Sequence, residues 1–147
     1  YDEQSKYLIT DYIKLVLDFC VRFYDRQFKT RTIENHNVLA RMEKLLDDYF
    51  LSSLPVQKGL PTVQYCADKL CLSANYLGDL VRKETGVSAL KHIHRKTLEI
   101  VKLRLDDQSK SINQISEELG FSSPQHFNSW FKKMEGKTPN EYRIQGH

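Results

Sequence analysis

Gln125, Asn128, Ser129 and Lys132 stand three, four and seven residues along from the first within PQHFNSWFKKME, the spacing that brings side chains onto one face of a helix. Three of them end in hydrogen-bonding groups, the fourth in a cation, and no acid interrupts them. Donors and acceptors of that kind suit the edges of base pairs, and an ammonium suits a phosphate. A solvated helix surface has the same composition, so one such face carries little by itself. Other chemistry is poorly served. The five histidines are scattered, and His92 and His94, two apart, point to different sides of a helix. Neither a glycine-rich phosphate loop nor an activated nucleophile is present. The sequence therefore gives no reason to expect catalytic residues, metal ligands or a cofactor.

The elements that must hold this face are readable around it. Phe127, Trp130, Phe131 and Met134 share the same spacing on the opposite side and should turn to a core. Ser123 is placed to cap the helix, with Pro124 in its first turn. Just upstream, a shorter amphipathic run ends at Gly120-Phe121-Ser122-Ser123-Pro124. A break followed by an immediate restart re-aims the chain and lets the second helix project its polar face outward.

The same arrangement occurs twice. TVQYCADKLCLSANYLGDLVRKETGVSA, from Thr62, aligns with SINQISEELGFSSPQHFNSWFKKMEGKTP, from Ser111, at an offset that lengthens by one residue in the turn. Cys66 pairs with Ile115, Leu70 with Leu119, Leu77 with Phe127, Val81 with Phe131 and Gly86 with Gly136. A small residue, Ala67 or Ser116, sits in the middle of each first helix, where it permits the close, steep crossing of a helix-turn-helix. Two copies of that motif are expected, over about 62–86 and 111–136. Between them 88–108 reads as a linker helix, with Leu90, Ile93, Thr97, Ile100 and Val101 on its inner side. About 20 residues span roughly 30 Å, close to the ~34 Å turn of B-DNA.

Upstream of the repeat, Tyr7–Phe28 places Leu8, Tyr12, Leu15, Phe19 and Phe23 at helical spacing, on an arc wide enough for a second contact within the chain or with another subunit. A polar break is expected at 29–37. A second amphipathic helix then carries Val38, Met42, Leu45, Leu46 and Tyr49, and 54–61, bounded by proline, reads as a linker. No period-two strand pattern appears downstream of Thr62. The fold class is all-α: two helix-turn-helix subdomains joined by a linker helix and preceded by an N-terminal amphipathic helix, with segment 1–36 set apart from domain 37–147.

The totals agree with a modest helical core. Of 147 residues, 40% are apolar and 28% charged, with a formal net charge of +3. From Tyr1 to Gln57 there are 8 Lys and Arg against 9 Asp and Glu, a net of −1; from Lys58 to His147 there are 14 against 10, a net of +4. The C-terminal part is the better match for a polyanion. No apolar run approaches the ~20 residues needed to cross a bilayer. Cys20, Cys66 and Cys71 form no Cys-x-x-Cys pair, and their apolar neighbours suggest buried free thiols in a reducing cytoplasm. The chain starts at Tyr1 inside a helical pattern, as a piece of something longer would.

Ile115, Gly120, Phe121, Phe127, Phe131, Lys132, Lys133, Gly136, Thr138, Pro139, Tyr142 and Arg143 fall at the fixed gaps of a signature, and the stretch closely resembles the AraC/XylS family of bacterial transcription regulators. The resemblance extends over roughly 37–143 and implies a domain of seven helices that binds double-stranded promoter DNA, with RNA polymerase as a further partner. It implies base-facing positions at Gln125, Asn128 and Ser129, with Pro124 and His126 beside them, and at Asn75, Gly78, Asp79 and Arg82 in the first copy. Lys83, Lys132 and Lys133 are the candidate phosphate neighbours, with solvated surface charge as the other reading of each. Where many relatives have a hydroxyl and a basic residue, this chain has Gly78 and Asp79. Asp79 either accepts from a cytosine amine or restrains Arg82 through an i,i+3 pair. Trp130 is expected in the core, and Tyr142 and Arg143 are expected to close the last helix onto the second copy. The N-terminal helix is the candidate homodimer element. A helical adaptor that binds protein through the same polar faces is the alternative reading.

Overall fold

Hydroxyl side chains set six of the helix starts among the described residues. Thr62, Ser73, Ser88, Ser111, Ser123 and Thr138 each accept the backbone N–H three residues on, an interaction worth about 1 kcal/mol per helix. At Ser111 and Thr138 the bond is reciprocated by Gln114 and Glu141. The computed structural model describes residues 2–146. Among these the elements are α1 (Glu3–Leu51), α2 (Leu54–Lys58), α3 (Val63–Lys69), α4 (Ala74–Thr85), α5 (Ala89–Leu105), α6 (Ile112–Glu118), α7 (Pro124–Glu135) and α8 (Pro139–Gln145). No strand occurs among the described residues. The fold is all-helical, with α3–α4 and α6–α7 as the two helix-turn-helix units and α5 as the linker helix.

Two expectations about the N-terminal region are corrected. The helix does not break at 29–37 but continues through it. That stretch contains neither glycine nor proline, and the Thr30 and Thr32 hydroxyls donate back to the Arg26 and Phe28 carbonyls at 2.9 and 3.0 Å. Loss of apolar periodicity there marks the end of an apolar face, not of the helix. Within 54–61, Leu54–Lys58 is a short helix rather than a linker, with Pro55 in the first turn, where its missing N–H costs nothing.

The chain divides into two units between Asn37 and Val38. In the first, Leu8, Leu15, Phe19 and Phe23 are each more than half exposed. In the second, two cores form side by side. The first gathers Met42 and Leu46 of α1, Cys66 and Ala67 of α3, Leu77 and Val81 of α4, and Ile93 of α5. The second gathers Tyr49 and Phe50 of α1, Val101 and Leu105 of α5, Ile115 of α6, and Phe127 and Phe131 of α7. The last turns of α1 and the whole of α5 thus serve both cores. Burial of a large apolar side chain contributes about 1.5–3 kcal/mol, so the last turns of α1 and both ends of α5 are held by several such terms.

Polar contacts lock the struts. Lys96 of α5 meets Asp47 of α1 at 3.1 Å, and Arg104 of α5 donates to the Phe50 carbonyl at 3.3 Å near the C-terminus of α1. The Tyr49 hydroxyl donates to the Gly59 carbonyl at 2.7 Å. α2 rests on the turn between α6 and α7 so closely that a methyl at Gly120 would lie 2.4 Å from the Pro55 carbonyl oxygen.

Some expected core positions moved. On α5, Ile93, Thr97 and Val101 are buried, but Leu90 is 51% exposed and Leu105 takes up the inner side instead. Phe127 and Phe131 are fully buried, whereas Trp130 and Met134 are half-buried. Of the cysteines only Cys66 is buried; Cys20 and Cys71 are exposed. Cys20 lies on the apolar flank of α1, where its neighbours are exposed with it, and Cys71 lies in a turn with a left-handed φ of 57°.

Candidate nucleic-acid interface

α4 and α7 are built alike. Each has 12 residues, starts at a serine cap and ends at a left-handed glycine, Gly86 or Gly136, whose N–H donates to the carbonyl of Arg82 or Lys132 at 2.8 Å. Leu77 and Val81 anchor α4, and Phe127 and Phe131 anchor α7. With these faces turned inward, helical geometry forces the polar faces out.

On α7, Gln125, His126, Asn128, Ser129, Lys132 and Lys133 are all exposed, and Pro124 is half-buried at the first turn. On α4, Asn75, Asp79, Arg82 and Lys83 are exposed, and Gly78 is half-buried between them. Each expected set therefore shares one helix and is available from outside. Arg82 and Asp79 form no ion pair with each other among the described residues, although their i,i+3 spacing allows one. His126 is less free than its neighbours. Its ring sits 5.5 Å from that of Phe121, edge to face, and its Nδ1 lies 3.1 Å from the Ser122 hydroxyl.

The supports behind α7 are partly outside the reach of sequence reasoning. Lys102 of α5 pairs with Glu135 at 2.8 Å, neutralising the acid nearest the C-terminal end of the polar face. His94 of α5 stands edge-on to Trp130 at 6.0 Å. Burial, together with the nearby Lys133 ammonium, lowers the His94 pKa below its usual value. Tyr142 packs edge-on against Phe131 at 5.6 Å. Arg143 donates to the Leu105 carbonyl at 3.1 Å and the Asp107 carbonyl at 3.2 Å, closing α8 onto the end of α5, where a cation also complements the helix dipole. Tyr142 and Arg143 are visible in the signature. The part played by Phe50, Arg104 and Glu135 is not, because each acts across a long sequence separation that local periodicity does not record.

Among the described residues no group of three or more His, Cys, Asp or Glu is placed to hold a metal ion, and no helix is long and apolar enough to cross a membrane. What remains is a pair of helix-turn-helix units presenting matched polar helices from a shared scaffold, the architecture of a DNA-binding domain. The helix-turn-helix domain family model matches residues 66–145, more than half of the chain, and the chain belongs to this AraC-type family of DNA-binding transcription regulators.

The chain is 38% identical over 81 residues to the uncharacterized transcriptional regulatory protein YesN of Bacillus subtilis (strain 168), a match that covers 52% of this chain and 21% of that protein. It therefore matches about a fifth of the relative's length. The C-terminal domain of the two-component response regulator yesN from Fusobacterium nucleatum has the same fold, with a TM-score of 0.61 and 26% identity over 73% of this chain and 98% of that one. The DNA-binding domain of AdpA, solved with a target DNA, aligns with a TM-score of 0.58 over 76% of this chain and 90% of that one. At 19% identity that likeness is one of fold alone.

Proposed function

We propose that α4 and α7 are recognition helices that enter successive major grooves on one side of promoter DNA. The observation that carries this reading is the pair of helices with matching serine and glycine ends, apolar anchors buried at equivalent positions and exposed polar faces, both fixed to α1 and α5. On α7, the amides of Gln125 and Asn128 are the base readers, since each can pair bidentately with adenine, and Ser129 supports them. His126, held against Phe121, and Pro124 shape the entry of the helix. Lys132 and Lys133, with Arg82 and Lys83 on α4, meet phosphates, while Asn75, Gly78 and Asp79 face bases. With no ion pair to Arg82, the Asp79 carboxylate is available to accept from a base amine.

Selection from random duplexes followed by a binding titration tests this. Affinity should fall steeply as salt rises, through counterion release. Asn128→Ala should relax preference at one position of one half-site, whereas Lys133→Ala should weaken every sequence similarly. A mild salt response with no selected sequence would favour the protein-binding adaptor instead.

Two finer assignments belong to the same reading. Bound to a promoter in the bacterial cytoplasm, the domain acts on transcription through RNA polymerase. The wide apolar flank of Tyr7–Phe28 pairs with the same flank of a second copy. Because Phe19 and Phe23 are exposed, Phe19→Asp with Phe23→Asp should leave the fold intact and abolish association in equilibrium sedimentation; unchanged association would remove the helix from the interface.

A further inference from the structure

Nothing inside the protein asks for glycine at position 78. It is the fifth residue of α4, where glycine weakens a helix relative to alanine. Its backbone is not in the left-handed region occupied by Gly86, Gly120 and Gly136. A methyl added to it would meet no atom within 4 Å, so no neighbouring element needs the space. The equivalent position of the second copy is Asn128, a full-sized polar side chain on the same outward face. Gly78 is therefore a notch in the middle of that face, bordered by the exposed Asn75, Asp79 and Arg82.

The chemistry of the border limits what enters the notch. Arg82, a full turn on from Asp79, can reach outward to a phosphate, but the adjacent Asp79 carboxylate, with no ion-pair partner among the described residues, disfavours one in the notch itself. Base edges are neutral and carry amines that a carboxylate can accept from. The group that protrudes furthest from them in the major groove is the thymine C5 methyl. We propose that Gly78 is a specificity-determining residue whose missing side chain admits a thymine methyl against the backbone of α4. The two copies then read differently: α7 by amide hydrogen bonds, α4 by a fitted cavity beside an acceptor. This rests on the reading of α4 as a groove-bound helix.

The test combines Gly78→Ala with a change of one base. Sites selected by the unaltered protein should hold a thymine in the half-site that Asn128→Ala leaves unaffected. Gly78→Ala should raise the melting temperature by a few degrees and weaken binding to the selected duplex about tenfold, the scale of a mismatched position. Replacing that thymine with deoxyuridine, which lacks only the methyl, should restore most of the loss. Equal affinity of the two proteins for the thymine duplex, an equal loss on thymine and deoxyuridine, or a lowered melting temperature would each overturn the assignment while leaving duplex binding in place. If the unaltered protein binds no duplex at low salt, the reading of α4 fails first, and the notch with it.

Discussion

The turn of the second helix-turn-helix offers a measurement of how firmly α2 holds it. Gly120 has φ of 85°, and a methyl there would sit 2.4 Å from the Pro55 carbonyl oxygen and 2.8 Å from the Gly59 carbonyl carbon. Both are backbone atoms, so relief requires moving the whole of α2. Left-handed φ costs a non-glycine residue about 1–2 kcal/mol, and forced overpacking adds about 1–3 kcal/mol. Gly120→Ala should therefore destabilise by about 2–5 kcal/mol, a large part of the ~5–15 kcal/mol that a domain possesses. Gly136→Ala is the internal control. Its φ is 86°, but nothing lies within 4 Å of the added methyl, so it should cost only the conformational part. Urea unfolding followed by far-UV circular dichroism and Trp130 fluorescence gives both numbers. If the two substitutions cost the same, α2 is not seated on the turn, and the argument that it braces the second unit fails. The first copy supplies a test of opposite sign. Cys71, which aligns with Gly120, has φ of 57°. Cys71→Gly should remove strain and stabilise by about 0.5–1 kcal/mol after the entropy of the added glycine is deducted.

Other outcomes follow from the supports of α7. Arg143→Gln should cost about 1–2 kcal/mol, since two charge-assisted bonds to the end of α5 are lost from a half-buried site; thermal unfolding reads it. Because burial and Lys133 hold the His94 pKa below its usual value, the unfolded chain binds a proton there more readily than the folded one. Stability should consequently fall as pH drops below about 6.5, and His94→Gln should remove that part of the pH dependence of the melting temperature. With its thiol buried and its pKa pushed up to about 11, Cys66 should resist an aromatic disulfide reagent in the native protein. Cys20 and Cys71 should react at once, and Cys66 only on unfolding. Lys133→Ala should reduce the slope of log affinity against log salt by about 1.

Much of the repeat was visible in the sequence because it is written locally. Serine and threonine caps, the glycines that close α4 and α7, and the three-and-four spacing of Phe127 and Phe131 all act within one or two turns, so a single strand of text records them. Family resemblance added the expectation of which positions face bases, which no periodicity distinguishes from ordinary solvated surface. The failures have different physical origins. The segment 29–37 looked like a break because a helix without a buried face leaves no apolar rhythm. Leu90 turns outward and Leu105 inward because the inner side of α5 is set by where the two cores sit. Cys71 looked buried because its neighbours Leu70 and Leu72 are apolar, yet it lies exposed in a left-handed turn. Only for α5 do the deciding neighbours lie far along the chain.

The duplicated units also show how one scaffold can carry two readers. Several residues that face the cores stay apolar and buried in both copies: Leu77 and Phe127, Val81 and Phe131, Ala89 and Pro139. Residues that face outward have changed their chemistry, with Asn75, Gly78 and Asp79 standing where the second copy has Gln125, Asn128 and Ser129. Loss of a buried apolar side chain at the first set costs several kcal/mol, whereas exposed positions cost only tenths, so a change from one chemistry to another collects on the polar faces. On the proposed reading this is what a recognition device requires. Rigid, matched supports place both helices reproducibly, and the freedom that remains lies at the few positions that meet DNA. A swap of 75, 78 and 79 for the residues at 125, 128 and 129 should therefore fold as the original does and select a site in which the first half resembles the second. Retention of the original first half-site would place its specificity outside α4.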